Sequence, residues 1–153
     1  MGLMQTKFFT RALALPAVVA ILKRVVPPVD RFLLRVSRGW LNTALQPVAL
    51  VKTTGAKSGK RREIATICMP LEGGIVVVGS NWGGDRDPAW VHNLRAHPRV
   101  EIAFRGYVGP AVAREVRDQE RAALWQQMVA YSPQHAVYQA GTSRLLPVLL
   151  LEW

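Results

Sequence analysis

Val48-Ala49-Leu50-Val51-Lys52-Thr53-Thr54-Gly55-Ala56-Lys57-Ser58-Gly59-Lys60-Arg61-Arg62 is an apolar run that gives way to a polar, cationic turn. The run predicts a strand over Val48 to Thr54, and Glu63 to Leu71 beyond the turn predicts a second. Between Gly55 and Arg62 stand two glycines, two lysines and two arginines in eight residues. Glycines let backbone N–H groups approach a ligand closely, and basic side chains neutralise its charge, so the turn has the chemistry of an anion clamp. A solvated basic hairpin would read the same way, and the turn alone identifies no function. It lacks the GxxxxGK[ST] spacing and joins two strands instead of leading into a helix, which argues against nucleotide hydrolysis.

Downstream, Glu72-Gly73-Gly74 predicts a turn into a third strand, Ile75 to Ser80. Asp87-Pro88 reads as an N-cap with proline at the first helical position, and a short helix follows through Ala96. Val100 to Arg105 and Tyr107 to Val116 form a hairpin about Gly106. Asp118 reads as the cap of a longer helix with Ala122, Leu124, Trp125, Met128 and Val129 on its apolar face. Tyr131 to Ser143 is irregular or partly helical. Leu146 to Trp153 is a strand whose continuous apolar run predicts burial on both faces. Six strands with hairpin links predict a mainly β (α+β) fold, a six-stranded antiparallel barrel, closed or split, with inserted helices. Strand–helix alternation and GxGxxG are both absent, which excludes a doubly wound sheet.

Upstream, Ala12 to Leu22 is an unbroken apolar run of eleven, flanked by Lys7, Arg11, Lys23 and Arg24. Eleven residues make roughly 16 Å of helix, too short for a hydrocarbon core of about 30 Å. Lys23-Arg24 stands where a signal peptide would have its small-residue cleavage site. Three readings stay open: an interfacial helix on anionic lipid through residues 1–28, a helix packed on the domain or a second copy, and an uncleaved signal. Phe8-Phe9 suits the first, and Met1-Gly2 with Thr6 fits the short myristoylation pattern shared by many unmodified chains. Pro27-Pro28 is expected to break this segment. Val29, Phe32, Leu33, Val36 and Trp40 then recur at helical spacing and predict a second helix with that face buried, stopping at Gly39. Residues 1–46 thus form an N-terminal helical extension and 47–153 the barrel domain.

A chain of 153 residues suffices for one domain burying about two-thirds of its unfolded surface. The charge is uneven. Up to Arg62, twelve lysines and arginines face the single acid Asp30; beyond it, eight basic residues face nine acids. This suits an anionic partner. Interleaved aromatics and any nucleic-acid module are missing from the basic half, so no nucleic acid is expected. Cys68, the only cysteine, reads as a small core residue. His92, His97 and His135 lack ligand spacing, and no metal is expected.

The turn gains meaning from its company. Ser80-Asn81 precedes Trp82-Gly83-Gly84-Asp85, and the capped helix carries Trp90 and Asn93. A basic clamp, a Gly-rich polar loop and an aromatic at a helix start are what a planar heterocycle with an anionic tail needs. Trp90 as a core aromatic and Trp90 in direct contact are both open. Thr53-Thr54-Gly55-x-Lys57-Ser58-Gly59, Gly73-Gly74, Pro88-x-Trp90-x-x-Asn93-Leu94-x-Ala96-x-Pro98, Glu120-Arg121 with Trp125, Tyr138-Gln139 and Pro147 occur in that order. Over about residues 47–153 the chain resembles the deazaflavin-dependent nitroreductase and quinone reductase family of the split β-barrel flavin-binding superfamily.

The resemblance implies a bound coenzyme F(420), an 8-hydroxy-5-deazaflavin with a phosphate and an oligoglutamate tail, in preference to FMN. It implies that Lys57, Ser58, Lys60 and Arg62 hold the phosphate and tail. Ala65 and Ile67 would line the ring, Val78, Gly79, Ser80 and Asn81 its edge, and Ala89, Trp90 and Asn93 would complete the site. The implied reaction is hydride transfer to a small electron-poor acceptor (a quinone, enone or nitroaromatic), with Tyr131 and Tyr138 as candidate catalytic proton donors and His135 as a further one. The chain departs from the pattern at Ala56, where arginine is usual, at Arg61, where proline is common, and at Trp82, which replaces a smaller or basic residue and would narrow the substrate pocket. A lipid-acting reductase and a non-catalytic deazaflavin-binding protein are the alternatives. The expected protein is a monomer or homodimer in the cytoplasm, or peripheral on the inner face of the cell membrane.

Overall fold

The computed structural model of the protein describes residues 16–44 and 46–153. Among them are six strands: β1 (Val48–Thr54), β2 (Arg61–Leu71), β3 (Gly74–Val78), β4 (Arg99–Phe104), β5 (Tyr107–Glu115) and β6 (Val148–Glu152). They form a closed antiparallel barrel in the order β1-β2-β3-β6-β5-β4, as the hairpin pattern predicted. Three tight connections set the local register, placing Thr54 opposite Arg61, Leu71 opposite Gly74 and Phe104 opposite Tyr107. β6 then inserts between β3 and β5, and β4 closes onto β1.

Strand alternation sends side chains into separate layers. Leu149 and Leu151 of β6 join Ala49, Val51, Val77 and Ile102 inside the barrel. Val148 and Leu150 pack outside it against Val116, Met128 and Leu146. β6 is therefore buried on both faces, as its apolar run predicted. Each such side chain contributes about 1.5–3 kcal/mol. A third layer, Val48, Leu50 and Ala103 with Leu34, lies under the first helix.

The helices are α1 (Pro16–Val36), α2 (Ala89–Ala96), α3 (Asp118–Tyr131) and α4 (Gln134–Ala140), with a 3-10 turn at Asn81–Gly83. The expected break at Pro27-Pro28 does not occur: both prolines lie inside α1. Each removes one N–H, which leaves the carbonyls of Lys23 and Arg24 without helical donors. Those residues are exposed, so water can serve the carbonyls. Leu34, fully buried on the barrel, and Asp30, whose Oδ1 accepts the Thr43 N–H at 2.7 Å, hold the later turns.

The expected apolar face of this helix is also corrected. Val29, Phe32, Val36 and the following Trp40 are 40–62% exposed. Docking through Asp30 and Leu34 turns that stripe outward. Phe8-Phe9, Lys7, Arg11 and the Met1-Gly2 pattern lie outside the described residues. No helix among the described residues is long and apolar enough to cross a membrane.

Two predicted caps are displaced. Pro88 occupies the N-cap position of α2 and Arg117 that of α3, neither with a side-chain cap. Asp87 is engaged elsewhere, by Arg95 at 2.8 Å and Arg144 at 2.6 Å. Asp118 opens α3 from within, where its charge still favours the helix dipole.

Candidate functional site

The β1–β2 turn is built from its own bonds. The Gly55 N–H reaches the Lys60 carbonyl and the Gly59 N–H the Gly55 carbonyl, each at 2.8 Å. The Lys60 N–H reaches Ser58 Oγ at 3.3 Å. Lys57, Ser58, Lys60 and Arg62 are exposed. Among the described residues Lys57, Lys60 and Arg62 have no carboxylate partner, while Arg61 approaches Glu101 at 4.0 Å. Three cations are thus uncommitted, Lys57 and Lys60 on the turn and Arg62 at the start of β2.

Asn93 fixes where that turn lies. Its Oδ1 accepts the Ala56 N–H at 2.9 Å and its Nδ2 donates to Thr53 Oγ1 at 3.1 Å. Asn93 and Thr53 are buried, so the turn is fastened to α2 from inside.

At the start of the same helix is a cavity of about 360 Å³. Ala65, Thr66 and Ile67 of β2 form its floor, and Val78, Ser80, Asn81 and Trp82 one wall. Pro88 and Trp90 border it from the start of α2, Val26, Pro27 and Asp30 from α1, and His135 and Tyr138 from α4. Of the residues singled out in the sequence, Ala65, Ile67, Val78, Ser80, Asn81, Trp90 and Tyr138 therefore share one cavity. Lys57, Ser58 and Lys60 on the turn and Arg62 at the start of β2 stand outside it. Gly79 packs β3 closely, since a Cβ there would lie 2.6 Å from Val91. Ala89 is the first residue of α2. Tyr131 ends α3, is 44% exposed and does not line the cavity.

The polar groups of the cavity have defined states. His135 is 3% exposed, and its Nδ1 lies 3.2 Å from the Ser132 carbonyl. A carbonyl only accepts, so Nδ1 carries the proton and Nε2 is left as the acceptor of the neutral ring. Burial pushes this imidazole below its ordinary range, partly offset by the Ser132 bond. Burial likewise pushes the Tyr138 hydroxyl up, which keeps it protonated and able to donate at neutral pH.

Sequence reading missed two residues that shape the site. Asp30, 5% exposed, is a carboxylate on the α1 wall. Arg144 donates to the carbonyls of Gly79 (3.1 Å), Ser80 (2.8 Å) and Gly84 (2.7 Å) and to Asp87 Oδ1 (2.6 Å). One guanidinium thus ties the loop after β3 to the start of α2. Its partners are mostly backbone, so the sequence carried no signal for it.

A family model described as F(420)H(2)-dependent quinone reductase matches residues 33–152. An F(420)H(2)-dependent quinone reductase of Mycobacterium tuberculosis (strain H37Rv) is 36% identical over 112 residues, which span 69% of this chain and 72% of the relative. Among solved structures, an F(420)-H2-dependent reductase, FDR-A, aligns with a TM-score of 0.64 at 37% identity, covering 69% of this chain and 94% of that one. A chain solved as a domain-swapped dimer aligns at 0.65 and 36%, covering 72% and 84%.

Proposed function

Because the chain belongs to the F(420)H(2)-dependent quinone reductase family, we propose that its cavity is where a deazaflavin and an electron acceptor meet, with the cations of the β1–β2 turn holding the cofactor's anionic end. The protein is an oxidoreductase, and reduced coenzyme F(420), when bound, supplies a hydride to a quinone-type acceptor. Lys57, Lys60 and Arg62, uncommitted to any carboxylate among the described residues, fit a phosphate and an acidic tail, with Ser58 beside them. Ala65, Ile67 and Val78 give the ring apolar walls. Gly79, Ser80 and Asn81 offer polar groups at its edge, and Ala89 and Trp90 close the α2 side. Tyr138 donates a hydrogen bond to the acceptor oxygen, and Tyr131 supports the acceptor side from the end of α3.

The single observation that carries this reading is the Asn93 side chain, which fastens the cationic turn to the helix whose Trp90 borders the cavity. Titration with oxidised coenzyme F(420), alongside FMN, tests it. The deazaflavin should bind more tightly, and Lys57→Ala should weaken it in a salt-dependent way. Equal affinity for both flavins, or no effect of Lys57→Ala, would refute the clamp. Replacing Tyr131 and Tyr138 by phenylalanine should lower turnover with menadione and spare cofactor affinity.

A second proposal concerns the anionic membrane surface expected for residues 1–28. Ile21, Val25, Val29, Phe32 and Val36 form one stripe along α1, 40–61% exposed, with Arg24, Arg31 and Arg35 on the same helix. An exposed apolar stripe with cations suits an interfacial helix and a peripheral place on the inner face of the membrane. Phe32→Glu should abolish co-sedimentation with anionic vesicles; unchanged partitioning, or none in the wild type, would refute it.

A further inference from the structure

Trp82 stands at the tip of the loop after β3, and that loop is anchored on both sides. Arg144 takes the carbonyls of Gly79 and Ser80 before the tip and of Gly84 after it. The backbone of Asn81 and Trp82 is left-handed, with φ of 44° and 57°. A bulky residue enters that region only where its surroundings impose it, and such conformations collect at ligand clamps and active sites.

The indole is 54% exposed and yet engaged from two directions. It lies edge-on to Tyr138 with ring centroids 6.2 Å apart. The Lys23 ammonium sits 5.3 Å from its centroid, a cation–π distance. Trp82 therefore joins α1 to α4 across the cavity, which Val26 and Pro27 border on one side and Tyr138 on the other.

We propose that Trp82 is the specificity-determining residue for the electron acceptor: its indole, braced between Lys23 and Tyr138, narrows the opening and admits flat one- or two-ring quinones ahead of those with a bulky ring substituent. The inference rests on the cavity being where cofactor and acceptor meet. At about 360 Å³ the cavity is near the lower end of the roughly 300–1,000 Å³ usual for ligand sites. One indole at the opening is then a large part of the available width. Its removal enlarges the acceptor side and leaves the cations of the β1–β2 turn in place.

The test compares kcat/KM for 1,4-naphthoquinone and for a 2-aryl-1,4-naphthoquinone, with reduced coenzyme F(420) as donor. The wild type, Trp82→Ala, Trp82→Phe and Lys23→Gln are measured. The bulky-to-small ratio should rise about tenfold in Trp82→Ala, the scale on which pocket volume discriminates, and less in the other two. Both acceptors are read on one preparation, so the folded fraction cancels from the ratio. An unchanged or falling ratio overturns the proposal; if Trp82→Ala does not fold, an unchanged ratio in both Trp82→Phe and Lys23→Gln does so. Titration with oxidised cofactor separates the two claims. Binding with an unmoved ratio refutes the role of Trp82 alone, whereas a wild type that does not bind refutes the site and the inference with it.

Discussion

Asn93 Oδ1 accepts the Ala56 N–H at 2.9 Å while Asn93 Nδ2 donates to Thr53 Oγ1 at 3.1 Å. One buried amide thus satisfies a donor on the turn and an acceptor on β1, and it stands three residues past Trp90. Asn93→Leu keeps the volume and leaves both partners unpaired, which costs about 1–3 kcal/mol. Urea unfolding should show that loss. Cofactor affinity should also fall, but without a change in its salt dependence, since no charge is removed. A salt slope that changes as much as in Lys57→Ala would mean that Asn93 does more than hold the turn.

Arg144 makes four donor contacts to one loop, three of them to carbonyls. Lysine keeps the charge and cannot span the same set, because the guanidinium is a planar fork. Arg144→Lys should cost about 2 kcal/mol and speed amide exchange or proteolysis between Ser80 and Asp87. Exchange at wild-type rates in that loop would show that the contacts are dispensable.

What the sequence made legible follows from distance along the chain. Glu72-Gly73-Gly74 and Gly106 signal turns because hairpin geometry is local, and the alternating layers follow from period two. Arg144 reaches carbonyls 60 to 65 residues away, and no spacing encodes that. In α1 local reasoning misled twice. Pro27 and Pro28 stay helical because the later turns are docked, and the apolar stripe faces outward because Asp30 and Leu34 decide the orientation. Tertiary contacts outweighed propensity and pattern there. For the site, the wall residues on β2, β3 and α2 were legible through the family pattern. The α1 wall was not: Val26, Pro27 and Asp30 reach it on a helix that runs unbroken through the prolines, where a break was expected.

Gly39 and Gly59 both have positive φ, 87° and 63°, and they should respond differently to alanine. At Gly59 nothing lies within 4 Å of a new Cβ, so the cost is conformational alone, about 1 kcal/mol. At Gly39 a Cβ would sit 2.4 Å from the Phe104 nitrogen and 2.6 Å from the Ala103 carbonyl carbon. Both are backbone of β4 and cannot yield as a side chain would. Gly39→Ala should therefore cost about 3 kcal/mol or more, read from urea midpoints. Equal losses in the two variants would show that the junction of α1 with β4 adapts.

Cys68 is fully buried on β2 between β1 and β3, and burial, partly offset by Arg105, pushes its thiol up to about 12. A thiol in that state is not nucleophilic at neutral pH. The folded protein should react with a disulfide reagent only as fast as it unfolds, and the denatured chain should release one equivalent at once. Rapid labelling of the native protein would place Cys68 at an accessible position.

His135 should make stability depend on pH. Burial lowers its folded pKa below the ordinary 6.5, so the unfolded chain takes up a proton at a pH where the folded one does not. The neutral ring's contribution is fully present above 6.5 and is lost as pH falls from 6.5 toward the folded value. The interval from pH 7.5 to 5.5 brackets the onset of that loss. Glu101 and Glu115 are held below the ordinary carboxylate value of 4.5, chiefly by their bonds to Lys52 and Arg95. Their contributions fade only under more acidic conditions than this window. Urea unfolding at the two pH values should therefore show a drop in the wild type that is smaller in His135→Gln. The same drop in both proteins would mean that His135 is solvated or charged in the folded state, against its 3% exposure and the Ser132 bond that fixes its neutral form.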